Sequence, residues 1–180
     1  MPAYALFLRA VNVGGNNNVV MTELQSLIED RGFKDVATLL QSGNAIFSGE
    51  ERAAEVIESQ FEQALRRKLE VECSCFVRTA AEWTDAIASN PFSAEAKNDP
   101  SHLLVVLLKS EPSAPALKDL RAAFTGPERF QAMGRQLYVV YPDGIGKSKL
   151  TIPLIERHLG TRATGRNWNT VLKVAQLLGR

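Results

Sequence analysis

Val36–Ser48, with the sequence VATLLQSGNAIFS, decides the fold because two short strand-like runs flank a turn. Val36–Gln41 and Ala45–Ser48 contain β-branched and aromatic residues and have lengths typical of strands. Ser42-Gly43-Asn44 lies between them and is typical of a tight hairpin, in which glycine supplies a left-handed backbone conformation. We therefore expect two antiparallel neighbours in one sheet.

The segments on either side of this hairpin complete a known unit. Tyr4–Arg9 predicts a strand before the hairpin, and Val71–Arg78 predicts a strand after it. Apolar residues at helical spacing fill both gaps, with Leu24, Leu27 and Ile28 in the first and Ala54, Ile57, Phe61 and Leu65 in the second. Thr22-Glu23-Leu24-Gln25 has the spacing of a capping box for the first helix. The order βαββαβ predicts a ferredoxin-like split βαβ unit.

Residues 102–180 nearly repeat this order. The pattern predicts strands at His102–Leu108, Arg129–Met133 and Gln136–Tyr141, and helices beginning near Ser113 and Thr151. Between the halves, Thr79-Ala80-Ala81-Glu82 predicts the capped start of a linking helix, and Ser93–Ser101 predicts a polar loop. In place of a last strand, helical spacing is found for Trp168, Val171, Leu172, Ala175 and Leu178.

The predicted fold class is therefore α+β, with two ferredoxin-like halves in tandem, the second ending in a helix instead of its last strand. The first half covers residues 1–78, a linking helix and loop cover 79–101, and the second half covers 102–180. The predicted turns at Gly43 and Gly134 mark the same point in each half. The two halves share no clear sequence identity, so the duplication rests on the pattern of elements.

The composition narrows the class of protein. The chain has 180 residues, of which 45% are hydrophobic and 23% are charged, which is typical of soluble globular proteins and excludes disordered and collagen-like chains. The longest apolar run, Leu103–Leu108, is far shorter than the roughly 20 residues that a membrane helix needs. No signal-peptide pattern follows Met1-Pro2, so we expect a cytoplasmic protein without membrane contact.

The two cysteines predict no cofactor site. Cys73 and Cys75 alternate with Val71 and Val77, so we expect both to be buried, reduced and unliganded on one face of a strand. The alternative is a redox pair. The two histidines lie far from them in the sequence and no zinc-binding spacing occurs, so we expect no metal and no cofactor.

Charge is distributed unevenly along the chain. Residues 1–143 carry 14 basic and 19 acidic side chains, a net charge of −5, whereas residues 144–180 carry seven basic side chains and one acidic, a net charge of +6. A basic segment on an acidic protein favours a nearby anion. A solvated surface that balances the acidic remainder is an equally acceptable interpretation.

The first candidate site lies where the predicted strands of the first half end. In a ferredoxin-like sheet the third strand lies between the first and second, so one edge brings together Arg9, Asn12, Gln41, Ser42 and Asn44. The glycine-rich loop that contains Gly14 crosses this edge toward a helix N-terminus, and its backbone N–H groups suit an anion. The alternative is a loop whose glycines and asparagines only satisfy tight turns.

Two further candidate segments lie in the basic C-terminal part. The first is the loop of Lys147, Ser148 and Lys149, which copies the end of a phosphate-binding P-loop; Tyr141 stands where that motif needs glycine, so we reject a P-loop but keep a simpler anion-binding loop. The second contains Arg166, Asn167 and Asn169 at the start of the last helix, where one asparagine suffices as a cap. Trp168 beside them either stacks on a ring or lies in the core.

Several segments together resemble the bacterial domain-of-unknown-function family 1697, and the resemblance runs in order over nearly the whole chain. The segments are Phe7–Gly15, Gln41–Asn44, Asn90–Phe92, Gly144–Leu150 and Thr164–Thr170. The resemblance implies two ferredoxin-like halves and implies no activity, because that family has no assigned biochemistry. It also implies that these residues are signature positions: Arg9, Asn12, Ser42, Asn44, Ser148, Arg166 and Asn167.

Three functions remain open at this stage. The donors in the signature segments favour a protein that binds a small anionic ligand bearing phosphate or carboxylate. The alternative is an RNA- or DNA-binding module that uses the basic C-terminal segment, although an aromatic RNA-binding signature is absent. The third is an interaction protein that uses an exposed sheet edge. No catalytic constellation is visible, so the sequence leaves open whether the protein is an enzyme.

Overall fold

The computed structural model describes residues 1–15, 17–39 and 41–179. The chain divides into two compact units. Unit 1 consists of Met1–Asp85 together with Val174–Arg180, and unit 2 consists of Ala86–Lys173. Each unit contains one four-stranded antiparallel sheet.

Unit 1 has the strand order β2-β3-β1-β4 that a split βαβ unit requires. Its elements are β1 (Ala3–Leu8), α1 (Met21–Glu29), β2 (Lys34–Leu39), β3 (Asn44–Ser48), α2 (Ala54–Leu69) and β4 (Cys75–Thr79), after which α3 (Ala80–Ala88) follows. Alternate residues of β1, among them Leu6 and Leu8, pack against Ile28 of α1 and Phe61 of α2 in the core. The βαββαβ order predicted for the first half is confirmed.

Unit 2 has the same topology, with the order β6-β7-β5-β8. Its elements are α4 (Ser93–Asn98), a 3₁₀ turn (Pro100–His102), β5 (Leu103–Leu108), α5 (Ala114–Ala123), β6 (Arg129–Met133), β7 (Gln136–Val140), a 3₁₀ turn (Ile145–Lys147), α6 (Ile152–Leu159), β8 (Ala163–Asn167) and the start of α7 (Trp168–Leu178). Every residue of β5 is buried, so both faces of this central strand are covered.

The duplication extends to individual hydrogen bonds. At the end of β1, the N–H of Leu8 donates to Gly43 O at 2.8 Å; at the end of β5, the N–H of Leu108 donates to Arg135 O at 2.9 Å. Each sheet therefore closes its hairpin onto its central strand in the same way. The predicted fold class of two ferredoxin-like halves is confirmed.

The last strand of the second half corrects the sequence prediction. Ala163–Asn167 forms β8, which pairs antiparallel with β5 from Leu104 to Leu108, and the predicted helix follows directly at Trp168. The sequence ATGRN contains one small apolar residue, with glycine and asparagine that strands usually disfavour, so periodicity did not indicate a strand. Pairing with the apolar β5 imposes the strand, which is a tertiary effect.

Three helices begin at a serine or threonine whose hydroxyl caps the first turn. Ser113 accepts a hydrogen bond from Ala116 N at the start of α5, and Thr151 accepts one from Leu154 N at the start of α6. Thr79 and Glu82 form the expected reciprocal capping box of α3. The capping box predicted at Thr22 is wrong, because α1 already begins at Met21 after Val20.

Two smaller expectations also change. Cys75 is buried as predicted, but β4 begins there, so Cys73 lies before the strand and is only half-buried. The segment predicted as a polar loop contains α4 and a 3₁₀ turn. Within the described part of the chain, no helix is long and apolar enough to cross a membrane.

The two hairpin glycines differ in their surroundings. Gly43 has φ +76°, and a Cβ there would lie 2.6 Å from Val11 Cγ2 and 2.8 Å from Leu8 Cβ. Gly134 has φ +60°, and a Cβ there would meet nothing within 4 Å. Both positions need a left-handed backbone, but only Gly43 also needs the absence of a side chain.

We expect Gly134→Ala to lower the free energy of unfolding by about 1–2 kcal/mol, from backbone strain alone. We expect Gly43→Ala to lower it by a further 1–3 kcal/mol or so, because the added methyl overpacks the core beside Leu8. Urea denaturation of the two variants beside the wild type measures both effects. Equal losses for the two variants would contradict this account of Gly43.

Candidate functional site

The first candidate site lies at the edge of unit 1 where β1 and β2 end and β3 begins. The Asn12 side chain reaches the hairpin turn there and donates from Nδ2 to Gln41 O at 2.6 Å. The same turn is also bonded to β1, because the N–H of Leu8 donates to Gly43 O. The strand order therefore brings together the segments whose meeting the sequence predicted.

Asn12 acts as a clamp on the loop after β1. Besides its bond to the hairpin, Nδ2 donates to Val19 O at 2.9 Å, and Oδ1 accepts from Val19 N at 2.8 Å. Both N–H groups and the oxygen of this amide are therefore engaged within the protein. Asn12 shapes the loop and joins it to the sheet edge.

Asn44 and Ser42 brace the hairpin from within. Asn44 is only 1% exposed, and its Nδ2 donates to Leu39 O at 2.9 Å and to Ser42 Oγ at 2.8 Å. The amide therefore holds the end of β2 against the turn. Ser42 itself is exposed on the surface of the turn.

The loop after β1 is unusually rich in left-handed backbone. Positive φ values between 50° and 78° occur at Ala10, Asn12, Gly14, Gly15 and Asn17. Glycine and asparagine adopt this conformation readily, but at Ala10 it costs roughly 1–2 kcal/mol, so the surrounding contacts must impose it. Gly14 and Gly15 are exposed at the loop, while Arg9 at its start is half-buried and donates its backbone N–H to Ser74 O at 3.0 Å.

The second candidate segment, in unit 2, presents two lysines on a braced loop. Ser148 Oγ accepts from Leu150 N at 2.9 Å, and the Tyr141 hydroxyl donates to Leu150 O at 2.8 Å beneath it. Burial raises the pKa of the Tyr141 hydroxyl, which stays a neutral donor. Lys147 and Lys149 are exposed on the outside of this loop.

The third candidate segment supplies one buried cation and one helix cap. Arg166 on β8 is 8% exposed and donates to Thr164 Oγ1 at 2.8 Å and Gly165 O at 2.9 Å. Burial lowers the pKa of the Arg166 guanidinium to about 10. Asn167 Oδ1 caps α7 by accepting from Thr170 N at 3.0 Å, whereas Asn169 is exposed and Trp168 is buried.

Sequence reasoning missed that Arg166 has a counterpart in unit 1. Arg78 is opposite Ala5, the third residue of β1, and Arg166 is opposite Val105, the third residue of β5. Each arginine donates to the carbonyl of the preceding residue, and Arg78 also lies 3.9 Å from the buried carboxylate of Glu58. The two arginines share no local sequence motif. They are found by aligning the two halves by strand register instead of by sequence identity.

A second omission is the pair of Asp99 and His102. The ring nitrogen Nδ1 of His102 lies 2.8 Å from Asp99 Oδ2, and Nε2 faces the position where a Cβ on Gly144 would stand. The sequence analysis weighed this histidine only as a metal ligand. The spacing i, i+3 at the start of β5 was the available signal.

One cleft lies away from the residues that the sequence predicted. A cleft of about 450 Å³ lies between α1 and the end of α2, where Lys68 Nζ pairs with Asp30 Oδ2 at 2.5 Å. This ion pair lowers the pKa of Asp30. Within residues 1–15, 17–39 and 41–179, no group of three or more His, Cys, Asp or Glu side chains is arranged to hold a metal ion.

Comparison with known proteins agrees with the resemblance noted in the sequence. A family model described as "Protein of unknown function (DUF1697)" matches residues 1–138. The chain belongs to this family. A solved structure, the conserved bacterial protein SP0830 from Streptococcus pneumoniae, superposes with a TM-score of 0.72 at 21% sequence identity and covers 98% of each chain. This likeness shows a shared fold. A search of curated proteins found no match.

The clamp can be tested with an isosteric change. Asn12→Asp keeps the shape of the side chain but places carboxylate oxygen against the carbonyls of Val19 and Gln41, so we expect the free energy of unfolding to fall by about 1–3 kcal/mol. Hydrogen exchange at the Asn12 backbone amide, which donates to Asn17 O across the loop, should accelerate. Both effects should shrink at acidic pH, where a neutral carboxyl group donates again.

Asn18→Asp is the matched control, because it adds the same charge at an exposed position of the same loop. We expect its effect on the free energy of unfolding to stay within about 0.5 kcal/mol. A similar loss in both variants would show that loop charge, and not the Asn12 hydrogen bonds, sets the stability.

Proposed function

We propose that unit 1 binds a small anion bearing phosphate or carboxylate at the loop after β1. The observation that carries this proposal is the clamp by Asn12, which holds an exposed, glycine-containing loop in left-handed conformations. The backbone N–H groups of Gly14 and Gly15 and the guanidinium of Arg9 are the proposed ligand contacts. No reaction forms part of the proposal.

Preorganisation supports the role of the backbone. Successive N–H groups in turn conformations form concavities that bind anions, and their affinity depends on the groups being fixed before the ligand arrives. The left-handed conformation at Ala10 persists only where contacts impose it, and such strain is concentrated at functional sites. Bonds on both sides of Ala10 hold the backbone there, from Arg9 N to Ser74 O and from Asn12 Nδ2 to Gln41 O.

Arg9 supports the role of charge. Arginine has five N–H donors in a planar fork, so a contact within the protein leaves donors for a ligand. Its half-buried position at the end of β1 reduces screening by water, which strengthens an ion pair with phosphate. In this proposal Asn12, Ser42 and Asn44 position the loop and the hairpin, and Arg9 and the loop backbone contact the anion.

A thermal-shift series tests the proposal. We expect inorganic phosphate or a nucleotide to raise the melting temperature of the wild type, with about 2.7 kcal/mol of stabilisation at 100 times the dissociation constant. Arg9→Ala should abolish the rise. Lys149→Ala, which removes an exposed cation from unit 2, should leave it unchanged.

The competing account is that Arg9 pairs with an internal acid such as Glu23 and only stabilises the fold; Asp35 is excluded, because it bonds to Ser48 beside the start of β1 whereas Arg9 follows the end of that strand. Under that account anions leave the melting temperature unchanged, and Arg9→Ala lowers it without any ligand. A flat response of the wild type to phosphate, carboxylates and nucleotides would end the proposal for this loop.

Nucleic-acid binding is the second candidate, and the exposed cations of the basic segment 144–173 favour it. They are Lys147, Lys149, Arg157, Arg162 and Lys173. Arg162 lies 3.6 Å from Glu156, and the rings of Phe7 and Tyr138 on the two sheets are fully buried, so stacking on a sheet is disfavoured. Binding would then depend on phosphate contacts alone.

We therefore expect any affinity for oligonucleotides to fall steeply with salt and to show no sequence preference. Fluorescence anisotropy across a salt series measures the slope. If the candidate is correct, Lys147→Ala removes one phosphate contact. The slope of log affinity against log salt concentration should then become shallower by about one. Absence of binding at low salt would exclude it.

A further inference from the structure

The outer edges of the two sheets are not alike. The edge strands are β2 and β4 in unit 1 and β6 and β8 in unit 2. An exposed edge offers unpaired N–H and C=O groups to another strand, and proteins usually block such edges. Three of these edges carry a device of that kind, and β6 differs.

Carboxylates seal β4 and β8. Glu62 Oε1 accepts from Cys75 N at 2.8 Å, and Glu58 Oε1, one turn earlier in α2, accepts from Val77 N at 2.8 Å. In unit 2, Glu156 Oε1 accepts from Ala163 N at 2.9 Å in the same way. Because these donors are already used, neither strand can pair fully with another.

A β-bulge disrupts the outer edge of β2. Its pairing with β3 shifts register between Lys34 and Ala37, and Asp35 between them has φ +53°. The Asp35 carboxylate accepts a hydrogen bond from Ser48 Oγ at 2.5 Å, which fixes this distortion. Bulges of this kind turn an edge away from partners.

No such device occurs on β6 within the described residues. The strand pairs with β7 without a register shift from Arg129 to Met133. The two-residue turn at Gly134-Arg135 closes this hairpin, so the residues that flank it bond inward and alternation directs the backbone groups of Phe130 and Ala132 outward. Its burial alternates between exposed and half-buried positions, so the edge is accessible.

We propose that β6 pairs antiparallel with β6 of a second copy of this chain, about a two-fold axis through Gln131. This is the one register in which the whole strand pairs with itself. It sets Phe130 opposite Ala132 of the second copy, and the backbone groups of both residues point outward, so four N–H···O bonds form. The interface is isologous, as in most homodimers.

The side chains fit the same register. Met133, a large apolar residue that is 37% exposed, comes to lie opposite Arg129 of the second copy. Arg129 is already held in place, because its guanidinium lies 5.3 Å from the Phe92 ring centre and pairs with Glu95. Its aliphatic stem therefore offers a fixed surface that covers Met133. On the other face, the large Phe130 lies beside the small Ala132.

One short strand pair buries little area, so we expect a weak dimer whose population rises with protein concentration. Sedimentation equilibrium from micromolar to several hundred micromolar protein measures it. Met133→Glu places a carboxylate opposite Arg129 in both symmetric pairs and should tighten dimerisation by roughly 2- to 30-fold. Met133→Lys should weaken it by a similar factor, and Met133→Gln serves as the neutral reference.

A general effect of surface polarity would change the dimerisation constant in the same direction for Met133→Glu and Met133→Lys. The proposed pairing predicts changes in opposite directions. Ala132→Pro removes an outward donor in each copy and should abolish the dimer while circular dichroism remains that of the wild type. If this variant unfolds, the Met133 series decides. A wild type that stays monomeric at every concentration, or Glu and Lys variants that shift the dimer in the same direction, would overturn the proposal.

Discussion

The central strand of each sheet is the constraint on which the rest of the structure depends. β1 and β5 each pair on both sides, so both of their edges are used within the sheet. All of β5 is buried, as are the residues of β1 from Tyr4 to Leu8. Because burial and pairing fix the direction in which each strand ends, they also fix where the next loop starts, and the anion site proposed for unit 1 lies there.

The two units keep this scaffold and differ in what surrounds it. After β1 the chain enters the loop that Asn12 clamps, whereas after β5 the N–H of Ser110 bonds to Thr161 Oγ1 at 3.1 Å. At the sealed edges, Glu156 in unit 2 corresponds to Glu62 in unit 1. One helical turn earlier, unit 1 has Glu58 and unit 2 has Ile152, so among the described residues only unit 1 has a second sealing carboxylate. A duplicated fold thus offers a polar loop in one unit and an accessible edge, β6, in the other.

The hydrogen bonds also divide the signature residues by role. Asn44 and Asn167 use their side chains to hold a hairpin and to begin a helix, which are local tasks. Asn12 joins two segments that lie far apart in the sequence, so its role is not local. Strand order placed Asn12 beside the hairpin in the sequence analysis, but an amide offers several donors and acceptors, and only the folded backbone determines which of them are used.

The sequence by itself determined the elements whose signals are local. Helix starts at Ser113 and Thr151, the hairpin at Gly43 and the short apolar run of β1 depend on neighbours within a few residues, so they can be recognised in the sequence. Tertiary structure decided β8, whose polar sequence becomes a strand only because β5 lacks a partner on that side without it. It also decided which edges are sealed. The glutamates that seal β4 come from α2, and helical periodicity does not specify how that helix lies along the neighbouring strand. Contacts between distant segments depend on how faces and edges meet, and that information exists only once the sheets have formed.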